Sequence, residues 1–154
     1  MPNHCHNRVT FYASPEHNDQ IAKIKQIFLD EKVFTQIIPE PDWANQPLLT
    51  SDNRFTKYGN DGELPVLQTD SYGECLRFQS TGIADQRWYD WRNQHWGTKW
   101  DAYDVVVTDD DPDCTEIEFN TAWSPPEAIC HELREQYPDL SISWFYDEPG
   151  CEIA

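Results

Sequence analysis

The chain has 154 residues, a formal net charge of −17 and an aromatic content of 14%, with seven each of Trp, Tyr and Phe. That length and aromatic load suffice for the core of one domain and argue against a disordered acidic tail. A mean hydropathy of −0.77 with no long apolar run excludes a membrane-spanning helix, and so strong a negative field opposes capture of nucleic acid.

In chain order, His4 to Tyr12 (HCHNRVTFY) predicts a strand of β-branched and aromatic residues. Ser14-Pro15-Glu16 then predicts a helix start, with an N-cap serine, proline at the first position and an acid in the first turn. Ile21, Ile24, Ile27 and Phe28 give that helix an apolar stripe. About sixty residues follow, Pro39 to Lys99, too many for a plain loop and so expected to carry structure of their own. Within them Cys75 to Ser80 reads as a short strand. Asp85 to His95 reads as a helix with Trp88, Trp91 and His95 on one stripe.

Beyond the insertion, Tyr103 to Thr108 and Thr115 to Trp123 predict two strands joined by an acidic turn, DDDPDC. The second alternates, with Ile117, Phe119, Thr121 and Trp123 on one face and Glu116, Glu118 and Asn120 on the other. Ser124-Pro125-Pro126-Glu127 has the spacing of a capping box. Its helix turns Ile129, Leu133 and Tyr137 inward and ends before Pro138, and Leu140 to Tyr146 predicts a last strand. The order βαββαβ predicts an α+β, ferredoxin-like split βαβ sandwich: a four-stranded antiparallel sheet with two helices on one face. The expected organisation is a single domain over 1–154, with the insertion at 39–99 between the first helix and the second strand.

Charge is unevenly placed. Trp100 to Ala154 carries fifteen Asp or Glu against one basic residue, Arg134, whereas the first 99 residues carry thirteen against ten. The open sheet face would display Asp104, Thr108, Glu116 and Glu118 with His6, Arg8 and Tyr12, Arg8 being neutralised by Glu116 or Glu118. RNA-recognition modules of this topology stack bases on aromatics among basic residues, so carboxylates there disfavour RNA. Five scattered cysteines without a CxxC pair, and a start (MPNHCHNRVTFYA) lacking signal-peptide organisation, predict free thiols in the cytoplasm.

MPNHCHNRVTF at the start, WGTKWDAYDV at 96–105, FNTAWSPP at 119–126 and YDEPG at 146–150 resemble the YubB-type ferredoxin-like family. Its members occur on plasmids, bacteriophages and pathogenicity islands, without a general activity. The resemblance implies a ferredoxin-like domain made by a mobile element inside a bacterial cell.

Each candidate site has a plainer alternative. Asp104, Asp109, Asp110, Asp111, Asp113, Glu116 and Glu118 form either a solvated surface or a decoy whose carboxylates imitate phosphates. Asp109 to Asp113 lacks the glycine and terminal glutamate of a calcium loop and reads as an acidic turn. His4 and His6 share a strand face, as zinc ligands can, but no neighbouring residue supplies a third ligand. Cys130 and His131 point about 100° apart on a helix and cannot act as nucleophile and base together. Trp88, Trp91, Trp96, Lys99 and Trp100 could form a stacking cleft for a small ligand or nucleotide, or simply pin the insertion to the core.

The leading expectation is a non-enzymatic acidic protein of a phage or other mobile element. It would inhibit a basic host protein or nucleoprotein complex, such as a defence complex (anti-CRISPR activity included), by nucleic-acid mimicry. No cofactor, metal, membrane or direct nucleic-acid contact is expected, and a homodimer is another way to cover the open sheet. The alternatives are ligand binding at the Trp-rich cleft and RNA cleavage by His4, His6 or His95.

Overall fold

The computed structural model describes residues 4–51, 55–71 and 73–147. Residues 148–150 of the YDEPG motif and Cys151 lie outside that range. In chain order the elements are β1 (His4–Tyr12), α1 (Asn18–Phe28), α2 (Phe34–Ile37), β2 (Val66–Asp70), β3 (Gly73–Arg77), α3 (Arg87–His95), β4 (Tyr103–Asp111), β5 (Cys114–Ala122), α4 (Glu127–Gln136) and β6 (Ser141–Asp147). The chain divides into two units, Met1–Pro39 with Arg92–Ala154, and Glu40–Trp91.

In the first unit a four-stranded antiparallel sheet runs in the order β4-β5-β1-β6. Alternation sets its faces. Cys5, Asn7, Val9 and Phe11 of β1 and Thr115, Ile117, Phe119 and Thr121 of β5 are buried on one side. Helix α1 covers that side with Ile21, Ile24 and Phe28, the Phe28 ring lying 5.3 Å from Phe119 and 6.2 Å from Phe11. Phe34 of α2 meets both Phe119 (6.1 Å) and Trp96 (5.7 Å), and α4 contributes the fully buried Ile129 and Leu133. Each such side chain stabilises the fold by about 1.5–3 kcal/mol through burial.

A buried polar chain joins the three neighbouring strands β5, β1 and β6. Asn7 Nδ2 donates to Thr121 Oγ1 (3.0 Å) and to the Cys5 carbonyl (3.2 Å), while Trp144 Nε1 donates to Asn7 Oδ1 (3.1 Å). Every polar atom of this asparagine amide is thus engaged, as a buried amide requires.

Several local expectations need correction. Ser14, Pro15 and Glu16 do take the N-cap, first position and first turn as expected, but that turn is 3₁₀ (Pro15–His17), the serine makes no side-chain cap bond, and α1 follows from Asn18. Ser124 does not cap α4 either, because its Oγ donates to the Gly97 carbonyl (2.6 Å) and the helix begins at Glu127. The run DDD is not a turn: β4 continues through Asp111, leaving Pro112 and Asp113 to reverse the chain. Trp123 is not a core residue, since β5 ends at Ala122 and Trp123 enters the left-handed region (φ 71°) with its side chain half exposed.

In the second unit, β2 and β3 form a hairpin, and Leu48, Tyr58 and Phe78 form a small core with Phe55 against it. Asp85 and Arg87 are buried as a forked ion pair, with Nε to Oδ1 at 3.0 Å and Nη2 to Oδ2 at 2.9 Å. Arg87 also donates to the carbonyls of Trp43, Gln46 and Pro47, and its guanidinium lies over the rings of Trp43 and Phe78. Those extra bonds give each guanidinium nitrogen an acceptor, which is what makes a buried charge tolerable. Helix α3 starts two residues later than expected, with Arg87 as its buried residue and Trp88 and Trp91 only half-buried.

Candidate functional site

The acidic segment folds as the β4–β5 hairpin because β5 alternates strictly and β4 follows it in antiparallel register from Tyr103↔Asn120 to Asp111↔Cys114. Two irregularities interrupt β4, one between Tyr103 and Val106 and one between Val107 and Asp109. Asp104 lies in the first, with φ at 54°, a conformation Asp tolerates better than most residues. The second places Thr108 beside Asp109, and both oppose Glu116 across the ladder.

The carboxylates fall into two groups. Glu118 accepts from His6 Nε2 (2.8 Å), and Glu116 accepts from Thr108 Oγ1 (2.8 Å) and Thr10 Oγ1 (3.3 Å). Asp110 takes Lys25 of α1 at 2.6 Å. Asp104 accepts a long bond from Asn120 (3.5 Å). Among the described residues, no basic side chain lies within ion-pair distance of Asp109, Asp111 or Asp113, all three exposed. The outward charge of the segment is therefore concentrated at the far end of an edge strand. Like charges there also keep the edge from pairing with another sheet.

The open face next to this edge is mixed rather than uniformly acidic. Arg8 stands opposite Glu118 in the ladder, yet its guanidinium lies over the Phe145 ring at 5.2 Å, and His6 takes the Glu118 carboxylate. Both His6 nitrogens face oxygen acceptors, Glu118 Oε1 and Asn120 Oδ1 (3.0 Å). The Glu118 bond, then the Asn120 bond, hold the imidazole pKa above its usual value. His4 Nδ1 bonds the Tyr103 hydroxyl. Phe145 is 59% exposed, and Tyr12 and Val106 are also half open to solvent, an apolar component that charge counting did not reveal.

The Trp-rich candidates separate. Trp88 and Trp91 belong to the second unit, where Trp91 contacts Trp43 edge-on at 6.5 Å. Trp96, Lys99 and Trp100 belong to the first. Trp96 is buried, donates to the Ile38 carbonyl (2.9 Å) and stacks under Arg92, so its ring serves packing. Lys99 pairs with no carboxylate among the described residues; its ammonium lies over Trp100 (4.8 Å) and over Trp123 (5.3 Å). A bulky residue at positive φ is costly, and this cation–π contact helps hold Trp123 there. Its part was hidden in the sequence because alternation placed it in the core.

His95 is half-buried at the end of α3. Cys130 and His131 lie on α4, and burial pushes the Cys130 thiol pKa up, which keeps it from acting as a thiolate.

Residues 95–154 match the model of a ferredoxin-like domain in Api92-like proteins. Among solved structures, the crystal structure of protein api92 from Yersinia pseudotuberculosis is similar, with a TM-score of 0.52 at 10% identity, over 99% of this chain and 92% of that one. At such low identity the likeness bears on the fold, which is ferredoxin-like. No curated protein matches the chain. No helix among the described residues is long and apolar enough to cross a membrane.

Proposed function

We propose that the chain is a non-enzymatic interaction protein that binds a basic partner through the outer edge of the β4–β5 hairpin. The observation that carries this reading is the division of the carboxylates: Glu116, Glu118 and Asp110 are engaged within the fold, while Asp109, Asp111 and Asp113 face solvent without a cation among the described residues. Carboxylates spaced along a rigid strand and turn can enter a Lys/Arg groove that otherwise takes phosphates, and so compete with nucleic acid for it. The same reading takes the chain as a split βαβ sandwich with an insertion, of YubB type, working in the setting that resemblance implies. That setting is a phage or other mobile element acting on a defence or regulatory complex in the bacterial cytoplasm.

The test is capture of host proteins by the tagged chain, with salt-graded elution and DNA as competitor. A partner bound this way leaves between about 0.1 M and about 0.5 M NaCl, where screening shortens from about 10 Å to a few Å. Charge reversal at Asp109, Asp111 and Asp113 should abolish capture, whereas Glu116→Gln should barely change it. A partner that resisted high salt, or ignored the triple reversal, would count against the proposal.

A further inference from the structure

A second feature of the first unit lies away from the hairpin edge. A cleft of about 230 Å³ opens between α4 and β6, walled by Pro125, Pro126, Trp144 and Tyr146 and bordered along the helix by Glu127, Cys130, His131 and Arg134. These four helical positions are spaced i, i+3, i+4 and i+7, so one face of α4 forms the border, with Glu127 and Arg134 about 10 Å apart along the axis; His131 is engaged by Glu135. We propose that this cleft binds a small carboxylate bearing a planar apolar group, with the carboxylate on Arg134 and the ring against Trp144 and the two prolines.

The charge pattern points to this chemistry. Arg134 is the sole basic residue from Trp100 to Ala154, among fifteen acids, and it stands at the cleft. Its Nη2 donates to the Ile142 carbonyl (3.1 Å), which holds the guanidinium against β6. Among the described residues no carboxylate forms an ion pair with it, so donors of its planar fork are left for a bidentate acceptor. Glu135, the nearest acid in sequence, is occupied by His131 at 3.1 Å. The Cys130 thiol stays neutral through burial and brings no negative charge into the cleft. Trp144 is anchored by its bond to Asn7, so the aromatic wall is fixed before any ligand arrives. Glu127 at the other end repels a second carboxylate, which selects monoacids over diacids.

The experiment titrates 3-phenylpropionate into the ¹⁵N-labelled chain at low salt. It follows the Trp144 indole N–H, assigned with W144F, and the Arg134 Nε–H. Saturable shifts of both signals are expected, with 3-phenylpropanamide and 3-phenylpropylamine producing none. Arg134→Gln should weaken binding at least about tenfold, and Arg134→Lys should retain part of it, since the lysine keeps a charge-assisted bond but loses the bidentate fork. No saturable shift with the acid, equal binding of the amide or amine, or full affinity in Arg134→Gln would overturn the assignment. The comparison of acid with amide needs no variant, so it decides even if substitution disturbs the helix.

Discussion

Individual side chains in this protein take roles that depend on contacts across the sheet. His6 reads in sequence as an ordinary strand histidine, yet two strands supply it with acceptors at once. Because the folded pKa is raised, chiefly by the Glu118 bond, its contribution to stability is fully present below the unfolded value, about 6.5. It is lost as pH rises through the folded value. Urea unfolding should therefore show Glu118→Gln destabilising the chain more at pH about 5.5 than at pH about 8. An NMR titration of the variant should show the His6 midpoint falling towards that of a free histidine; an unchanged midpoint would refute the pairing. Asn7 teaches the same lesson, since nothing local marks it as the buried amide on which three strands converge.

At the scale of elements, periodicity located β1, α1, α3, β4, β5, α4 and β6 but missed the short α2 and β2, and element ends followed contacts distant in sequence. The serines at 14 and 124 have the residue type and spacing of caps, but neither caps with its side chain. Ser124 instead ties its strand end to Gly97, where φ is 87° and an added Cβ would come within 3.0 Å of the Glu127 nitrogen. Side chains that do satisfy helix starts are Asp85, which accepts from the Arg87 N–H of α3 (3.1 Å), and Asp101, sixty-odd positions downstream of the α2 start it serves. The Asp101 carboxylate accepts from the backbone N–H groups of Val33 (3.0 Å), Phe34 (2.9 Å) and Ala102 (2.7 Å). Burial raises its pKa despite those bonds. Chemical denaturation should accordingly find Asp101→Ala costing about 1–2 kcal/mol and Ser14→Ala under about 0.5 kcal/mol. The reverse order would mean that the serine caps in solution.

Over the whole molecule, a formal charge of −17 destabilises the fold through self-repulsion, and β4 adds a like-charge cross-strand pair, Asp109 opposite Glu116. Raising NaCl from about 0.05 M to about 0.5 M should therefore raise the Tm by roughly 2–5 °C, and Asp109→Asn should reduce that gain. A Tm that fell with salt would show that attractive pairs, such as Lys25 with Asp110, dominate instead. The sequence by itself determined the antiparallel β4–β5 hairpin and the inward positions Ile117, Phe119 and Thr121 of β5, because alternation is a local property that burial enforces. It also located the charge. Only the tertiary structure decided which carboxylates are satisfied, that Arg8 turns to Phe145 and that Lys99 lies over two indole rings. It likewise placed the lone Arg134 beside a cleft. Those outcomes depend on which strands become neighbours, and the partner of a charge is set by distance in space.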